Sequence, residues 1–266
     1  MTTTKPPAIL LLSHGSRDPR AAYVVGELVL AVAAATGMTV RAAYLGFTAP
    51  LPRVALRQLG ADGFTMVRVV PLLFTPGYHL THDVPAAVLP QGGAVDPMDV
   101  SVAPPLLAGG PRQRELLLMA LDGRLRQAGA GGQVDALVLA SAGSSSQEAR
   151  RCIEGLARDL ERRHGIPVEP AFASAGTRTP THALEVLSDR GAQRPAVASL
   201  FVAPGRLTDS VVASCQGLPV ADPLGVSPAF VDLLVAQATA GPATTSFAGM
   251  PPHRFPRSDK AETKRD

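Results

Sequence analysis

Cysteine is nearly missing from this chain. Cys152 and Cys215 are the only two in 266 residues, and they form no short paired motif. That excludes a disulfide framework and a cysteine-held iron–sulfur cluster and leaves two ordinary reduced thiols. Histidine-rich tracts are also absent, and only His79 and His82 lie close together, which is sparse for a protein devoted to storing metal. The apolar run that follows the first seven residues is five residues long, too short for a secretion signal core or a membrane span, so a soluble, cytoplasmic protein with no membrane partner is expected. A strongly basic face is lacking as well. The formal charge is +3 with a sequence pI near 9.2, but the stretch after residue 240 carries Arg254, Arg257, Lys260, Lys264 and Arg265 against three acids. The excess therefore sits mostly in a terminal tail, and no nucleic-acid partner is expected.

What the chain does contain is an internal copy of itself. A shift of 128 residues lays Ala8-Ile9-Leu10-Leu11-Leu12-Ser13-His14-Gly15-Ser16 on Ala136-Leu137-Val138-Leu139-Ala140-Ser141-Ala142-Gly143-Ser144. The same shift aligns Pro52 with Pro180, Leu56 with Leu184, Leu59 with Leu187, Gly63 with Gly191, and Pro76-Gly77 with Pro204-Gly205. Two histidines of the first half are lost in the copy: His14 meets Ala142, and His79 meets Leu207. A duplicated scaffold that differs at two potential metal ligands implies two similar domains with one surviving site. Further on, Ala103-Pro104-Pro105-Leu106 resembles Ala221-Asp222-Pro223-Leu224 at a shift of 118, so the first half holds about ten extra residues before that point, with Pro90-Gln91-Gly92-Gly93 as a candidate loop.

Short apolar runs alternate with helical patterns, the signature of βαβ units and a parallel sheet. Strands are expected near Ala8–Ser13, Thr39–Leu45, Met66–Leu73 and Asp99–Ala103, then near Asp135–Ser141, Pro167–Ala173, Ala196–Phe201 and Leu218–Ala221. Helices are expected near Ala21–Thr36, Leu51–Gly60, His79–Leu89, Arg112–Gln127, Gln147–His164, Thr181–Arg190, Leu207–Cys215 and Pro228–Ala238. The fold class is α/β: two tandem domains, residues 1–128 and 129–240, each a small parallel sheet flanked by helices. Gly129-Ala130-Gly131-Gly132 joins them, and a disordered tail covers 241–266.

His14 ends the first expected strand and His79 follows the third. In a sheet of order 2-1-3-4 those strands are neighbours whose connections leave on opposite faces, which is where open α/β sheets bind ligands. Two imidazoles converging there suit a borderline divalent ion and can also accept protons. His164, His182 and His253 have no motif around them and are expected to be solvated.

The elements Leu11-Leu12-Ser13-His14-Gly15-Ser16-Arg17 and Gly77-Tyr78-His79-Leu80-Thr81-His82-Asp83-Val84-Pro85 resemble those of the class II chelatases, the sirohydrochlorin cobaltochelatases and ferrochelatases in their long two-domain form. The resemblance spans residues 8–238 and implies two tandem chelatase-like domains. It also implies insertion of Fe²⁺ or Co²⁺ into sirohydrochlorin or a related tetrapyrrole on the way to sirohaem or cobalamin, with His14 and His79 as metal-binding and catalytic residues. Ni²⁺ is a third metal that such a ligand set accepts. The metal is substrate, and no permanently bound cofactor is expected. His82 is a candidate auxiliary ligand, and Asp83 matches the family aspartate and could orient an imidazole. A carboxylate-rich substrate calls for arginines, with Arg17 and Arg206 the first candidates and Arg53 and Arg178 the next. The duplication predicts a monomer with one centre. The rival readings are a non-catalytic divalent-metal-binding or delivery protein, and a phosphate-handling protein that uses Gly15-Ser16-Arg17 at a helix N-terminus.

Overall fold

The computed structural model describes residues 5–76, 98–130, 134–174, 176 and 178–241. Strands β1 (Ala8–Ser13), β2 (Val40–Tyr44), β3 (Met66–Pro71) and β4 (Asp99–Val102) form a parallel sheet of order β2-β1-β3-β4. Strands β5 (Ala136–Ser141), β6 (Val168–Phe172) and β7 (Pro195–Leu200) form a second parallel sheet, β6-β5-β7. The described helices are α1 (Pro19–Thr36), α2 (Pro52–Ala61), α3 (Pro111–Gln127), α4 (Gln147–His164), α5 (Pro180–Asp189), α6 (Arg206–Ser214) and α7 (Pro228–Thr239). The expected helix near His79–Leu89 and the Pro90–Gly93 loop lie outside the described residues.

The duplication reappears in local structure at the same shift. Asp18 caps α1 and Ser146 caps α4 through side-chain acceptors, which satisfy backbone N–H groups left open at a helix start. Gly37 and Gly165 end those helices in the left-handed region, at φ of 66° and 67°. Side chains alternate in the same phase: Ile9 and Leu11, like Leu137 and Leu139, face one shared core, whereas Leu10 and Leu12, like Val138 and Ala140, face outward under α2 or α5. Both faces of each sheet are covered, which explains why β1 and β5 read as unbroken apolar runs.

The fourth strand of the second half is a difference from expectation. The segment near Leu218–Ala221 makes only an isolated parallel bridge, Val220 to Val197. Pro219 stands where the first half has Ser101, and a proline has no N–H to donate to a ladder. Past this point the halves match at the shift of 118: Ala103 N–H donates to Val69 O and Ala221 N–H to Val197 O, both at 2.8 Å, and Leu106 bonds to Leu73 as Leu224 does to Phe201. Since Pro76 still matches Pro204, the ten extra residues of the first half fall between Pro76 and Ala103.

Each half sends its last helix to the other. Helix α3 packs on β7 of the second sheet, α7 packs on β3 and α1 of the first half, and the two helices pack on each other. One apolar cluster consequently draws on both sheets and includes Leu28, Leu117, Leu121, Leu139, Leu156 and Phe230. Polar contacts reinforce the exchange. Arg124 donates to Leu224 O through Nε and Nη2, and the carboxylate of Asp122, only 10% exposed, accepts from Arg163 Nε at 2.6 Å and bonds His164 Nε2 at 2.9 Å. His164, exposed as expected, nevertheless bonds across the contact between halves: α3 of the opposite half supplies a carboxylate that local sequence does not reveal. On β3, burial holds the Arg68 guanidinium below its ordinary range.

By length and composition α1 is the one described helix able to cross a membrane. Its Val25, Leu28 and Val32 are buried in the shared core.

Candidate functional site

Helix α1 leaves β1 on the shared-core side, α2 enters β3 on the outer side, and β1 and β3 are neighbours, while the connection leaving β3 lies, beyond Pro76, outside the described residues. The chain leaving β3 stays beside β1, with Leu72 N–H donating to Leu12 O at 2.8 Å. His14 follows β1 directly and is exposed at this rim. His79, His82 and Asp83 lie outside the described residues. Among the described residues no group of three or more histidine, cysteine or carboxylate side chains is gathered to hold a metal.

The His14 loop is locked to the loop after β2. Gly15 sits at φ 89°, and a Cβ there would fall 1.7 Å from Gly46 O, so only glycine fits this close approach. Leu45 N–H donates to Ser13 O and Gly46 N–H to His14 O. Thr48 Oγ1 accepts from Ser16 N–H at 3.2 Å and donates to Ser16 O at 2.9 Å. Asp18 N–H donates to Ser16 Oγ. With the Ser16 and Asp18 amides engaged inside the protein, the turn does not present them to a phosphate, which weighs against the phosphate-handling reading.

Sequence reasoning missed Phe47. Its ring lies 6.3 Å from that of His14, centroid to centroid, with planes 11° apart, and Arg17 Cζ stands 5.3 Å from its centroid. One available signal was an aromatic residue in Gly46-Phe47-Thr48, directly after an expected strand, in a chain with 4% aromatic content.

The second half supplies the opposite lip. A Cβ on Gly205 would lie 4.0 Å from Ser16 Oγ, and Arg20 Nη2 reaches Asp209 Oδ2 at 2.6 Å. Pro204 joins Pro19, Arg20, Tyr23 and Val24 around an open groove of about 450 Å³. These contacts set the N-terminus of α6, whose first residue is the exposed Arg206, against the loop of His14 and Arg17. Side-chain and backbone hydrogen bonds from Arg20 hold the Asp18 carboxyl below the usual carboxylate range. Of the remaining candidate arginines, Arg53 stands in the first turn of α2 and Arg178 pairs with Glu154 of α4 at 2.6 Å. Both thiols are pushed up by burial, as reduced, unreactive cysteines should be.

Comparison with known proteins gives concordant results. The CbiX family model matches residues 8–121 and again 136–240. A sirohydrochlorin cobaltochelatase of Methanococcoides burtonii is 32% identical over 78 residues, 29% of this chain and 60% of that protein. A sirohydrochlorin ferrochelatase of Bacillus subtilis is 25% identical over 172 residues, 63% of each chain. The chain thus spans about three-fifths of the length of these relatives. Among solved structures, SirB from Bacillus subtilis with Fe³⁺ superposes with a TM-score of 0.69 at 20% identity, covering 87% of this chain and 93% of that one. CbiX, described as the terminal enzyme for siroheme biosynthesis in denitrifying bacteria, gives 0.62 at 17% identity, covering 87% and 97%.

Proposed function

Because the chain belongs to the CbiX family, whose model matches it once in each half, we propose that it inserts a divalent metal, Fe²⁺ or Co²⁺, into sirohydrochlorin or a closely related tetrapyrrole in the cytoplasm. The observation that carries this reading is the placement of His14: exposed at the switch point of one sheet, facing an arginine-bearing helix end of the other half, and replaced by Ala142 in the duplicate. His14 and His79 are assigned as metal-binding and catalytic residues. Arg17 and Arg206 are assigned to substrate carboxylates from opposite lips, Arg53 and Arg178 as further substrate contacts, and His82 and Asp83 as auxiliary ligand and orienting residue.

The chemistry suits those groups. As the metal enters, the macrocycle gives up two pyrrole protons, so the site needs a ligand that releases the ion and a base beside it. Neutral imidazoles serve in both capacities, as ligands suited to borderline divalent ions and as proton acceptors. Guanidiniums on two rigid lips can grip peripheral carboxylates while the ring bends toward the incoming ion. Ni²⁺ is accepted by the same ligand type, and the chain acts as a monomer because each half already has its partner in cis.

Mixing the protein, anaerobic Fe²⁺ or Co²⁺ and sirohydrochlorin should change the macrocycle absorbance, and titration should give one functional metal per chain. A protein that binds the metal but leaves the spectrum unchanged would be a binding or delivery protein instead.

A further inference from the structure

Phe47 has no part in the chemistry described so far, yet several independent observations converge on it. It is the only non-glycine at positive φ among the described residues, at 61°, a region that side chains larger than asparagine rarely adopt. Its side chain contributes little to the core, being 64% exposed. The conformation is enforced from both sides: Gly46 N–H bonds to His14 O, Thr48 N–H donates to Gly46 O at 2.7 Å, and the Thr48 hydroxyl clamps the Ser16 backbone. An exposed ring kept in an unfavourable backbone region points to a use for that ring, and it lies nearly parallel to the His14 ring and under the Arg17 guanidinium.

The duplicate sharpens this. At the shift of 128, His14, Arg17 and Phe47 face Ala142, Ser145 and Ala175, and Thr48 faces Gly176. The backbone frame survives: Gly143 keeps φ 95°, Ala173 N–H donates to Ser141 O, Ser174 N–H donates to Ala142 O, and Ser144 Oγ accepts from Ser146 N–H. Phe47, its two neighbours His14 and Arg17, and the hydroxyl that ties the two loops together are absent together, while these features of the turn are kept.

We propose that Phe47 is a positioning residue: its ring holds the His14 imidazole and the Arg17 guanidinium in one fixed arrangement, so that the metal-binding and carboxylate-binding groups are set before substrate arrives. This rests on the chelatase reading and adds to it a residue that reaches the reaction only through two others.

The test is Co²⁺ titration of the full chain by calorimetry, with no tetrapyrrole present, for the unaltered protein, F47L, F47Y and H14A, alongside saturation kinetics with Co²⁺ and sirohydrochlorin. F47L should weaken Co²⁺ binding roughly two- to tenfold, the range set by an aromatic pair, and raise the apparent KM for metal and tetrapyrrole with little change in kcat. F47Y, which keeps the ring, should restore both. If F47L binds Co²⁺ like the unaltered protein while H14A does not, or if F47Y fails to rescue, Phe47 is not a positioning residue and the chelatase reading stands. If H14A itself retains full Co²⁺ affinity, the chelatase site has been misassigned and this inference falls with it.

Discussion

The loop after β1 and the loop after β5 share a backbone and differ in cargo. Each has a glycine at positive φ and a serine three residues beyond the strand-ending serine, and each accepts the same pair of backbone hydrogen bonds from the neighbouring loop. One presents His14 and Arg17, and the other Ala142 and Ser145. The turn is thus a requirement of the fold, and the histidine is an addition to it. The second half approaches this loop differently, with Gly205 against Ser16 just before Arg206 opens α6.

If that division holds, His14→Ala should lower metal insertion by at least about a hundredfold, the low end of what a general base supplies, and leave the melting temperature unchanged. Ala142→His should not create a second centre, since Leu207 and Ser145 still stand where the first half has His79 and Arg17. Two metals bound per Ala142→His chain would break the comparison.

The glycines should separate next. Gly15→Ala drives a Cβ to 1.7 Å from the backbone oxygen of Gly46, whereas at Gly143 the nearest atom is the movable Ser174 Oγ at 2.9 Å. Thermal or denaturant unfolding should therefore show a loss of about 2–4 kcal/mol for Gly15→Ala and about 1–2 kcal/mol for Gly143→Ala, close to the left-handed penalty alone. Equal losses would mean that the two turns are equally tight.

Much of this was legible in the sequence because the duplication supplied an internal control. The helices expected near Ala21, Leu51, Gln147 and Thr181 begin at Pro19, Pro52, Gln147 and Pro180, three of them with a proline at the first helical position, and the sheet order 2-1-3-4 was expected and observed. Long-range pairings were not legible. Nothing local to Pro111–Gln127 or Pro228–Thr239 says that each packs on the opposite half, and nothing near His164 points to Asp122. This exchange also bears on cutting the chain: residues 1–128 alone would expose the faces of α1 and β3 that α7 covers, so a truncated half is expected to aggregate before it reports on substrate binding. Phe47 escaped notice because its role lies in a contact between two loops, which periodicity does not encode.

Arg206→Ala offers a cleaner probe of the second half. A charge-assisted contact to a substrate carboxylate is worth about 1.5–3 kcal/mol, so the apparent KM for sirohydrochlorin should rise roughly tenfold or more, with metal dependence little changed. Unaltered saturation would make the second half a structural cover rather than a lip of the site.

The smallest effect should come from Arg20→Ala. Arg20 and Asp209 tie the two lips together, but their side chains are 51% and 55% exposed, so solvent and salt screen the pair. The unfolding midpoint should move only slightly, and the difference should fade at high salt. Asp18 supplies a second readout: Arg20 holds its carboxyl below the usual range, so its contribution to stability is present above the ordinary carboxylate pKa and is lost as pH falls through the lowered one. Arg20→Ala should flatten that part of the acid limb. The pair has no twin, because the shift of 128 takes Arg20 to Glu148 and brings Asp209 back to Thr81, residue types that form no ion pair. If removing so exposed a link cost as much stability as Gly15→Ala, closure of the lips would be holding the fold itself, and the asymmetry between halves would be structural before it was chemical.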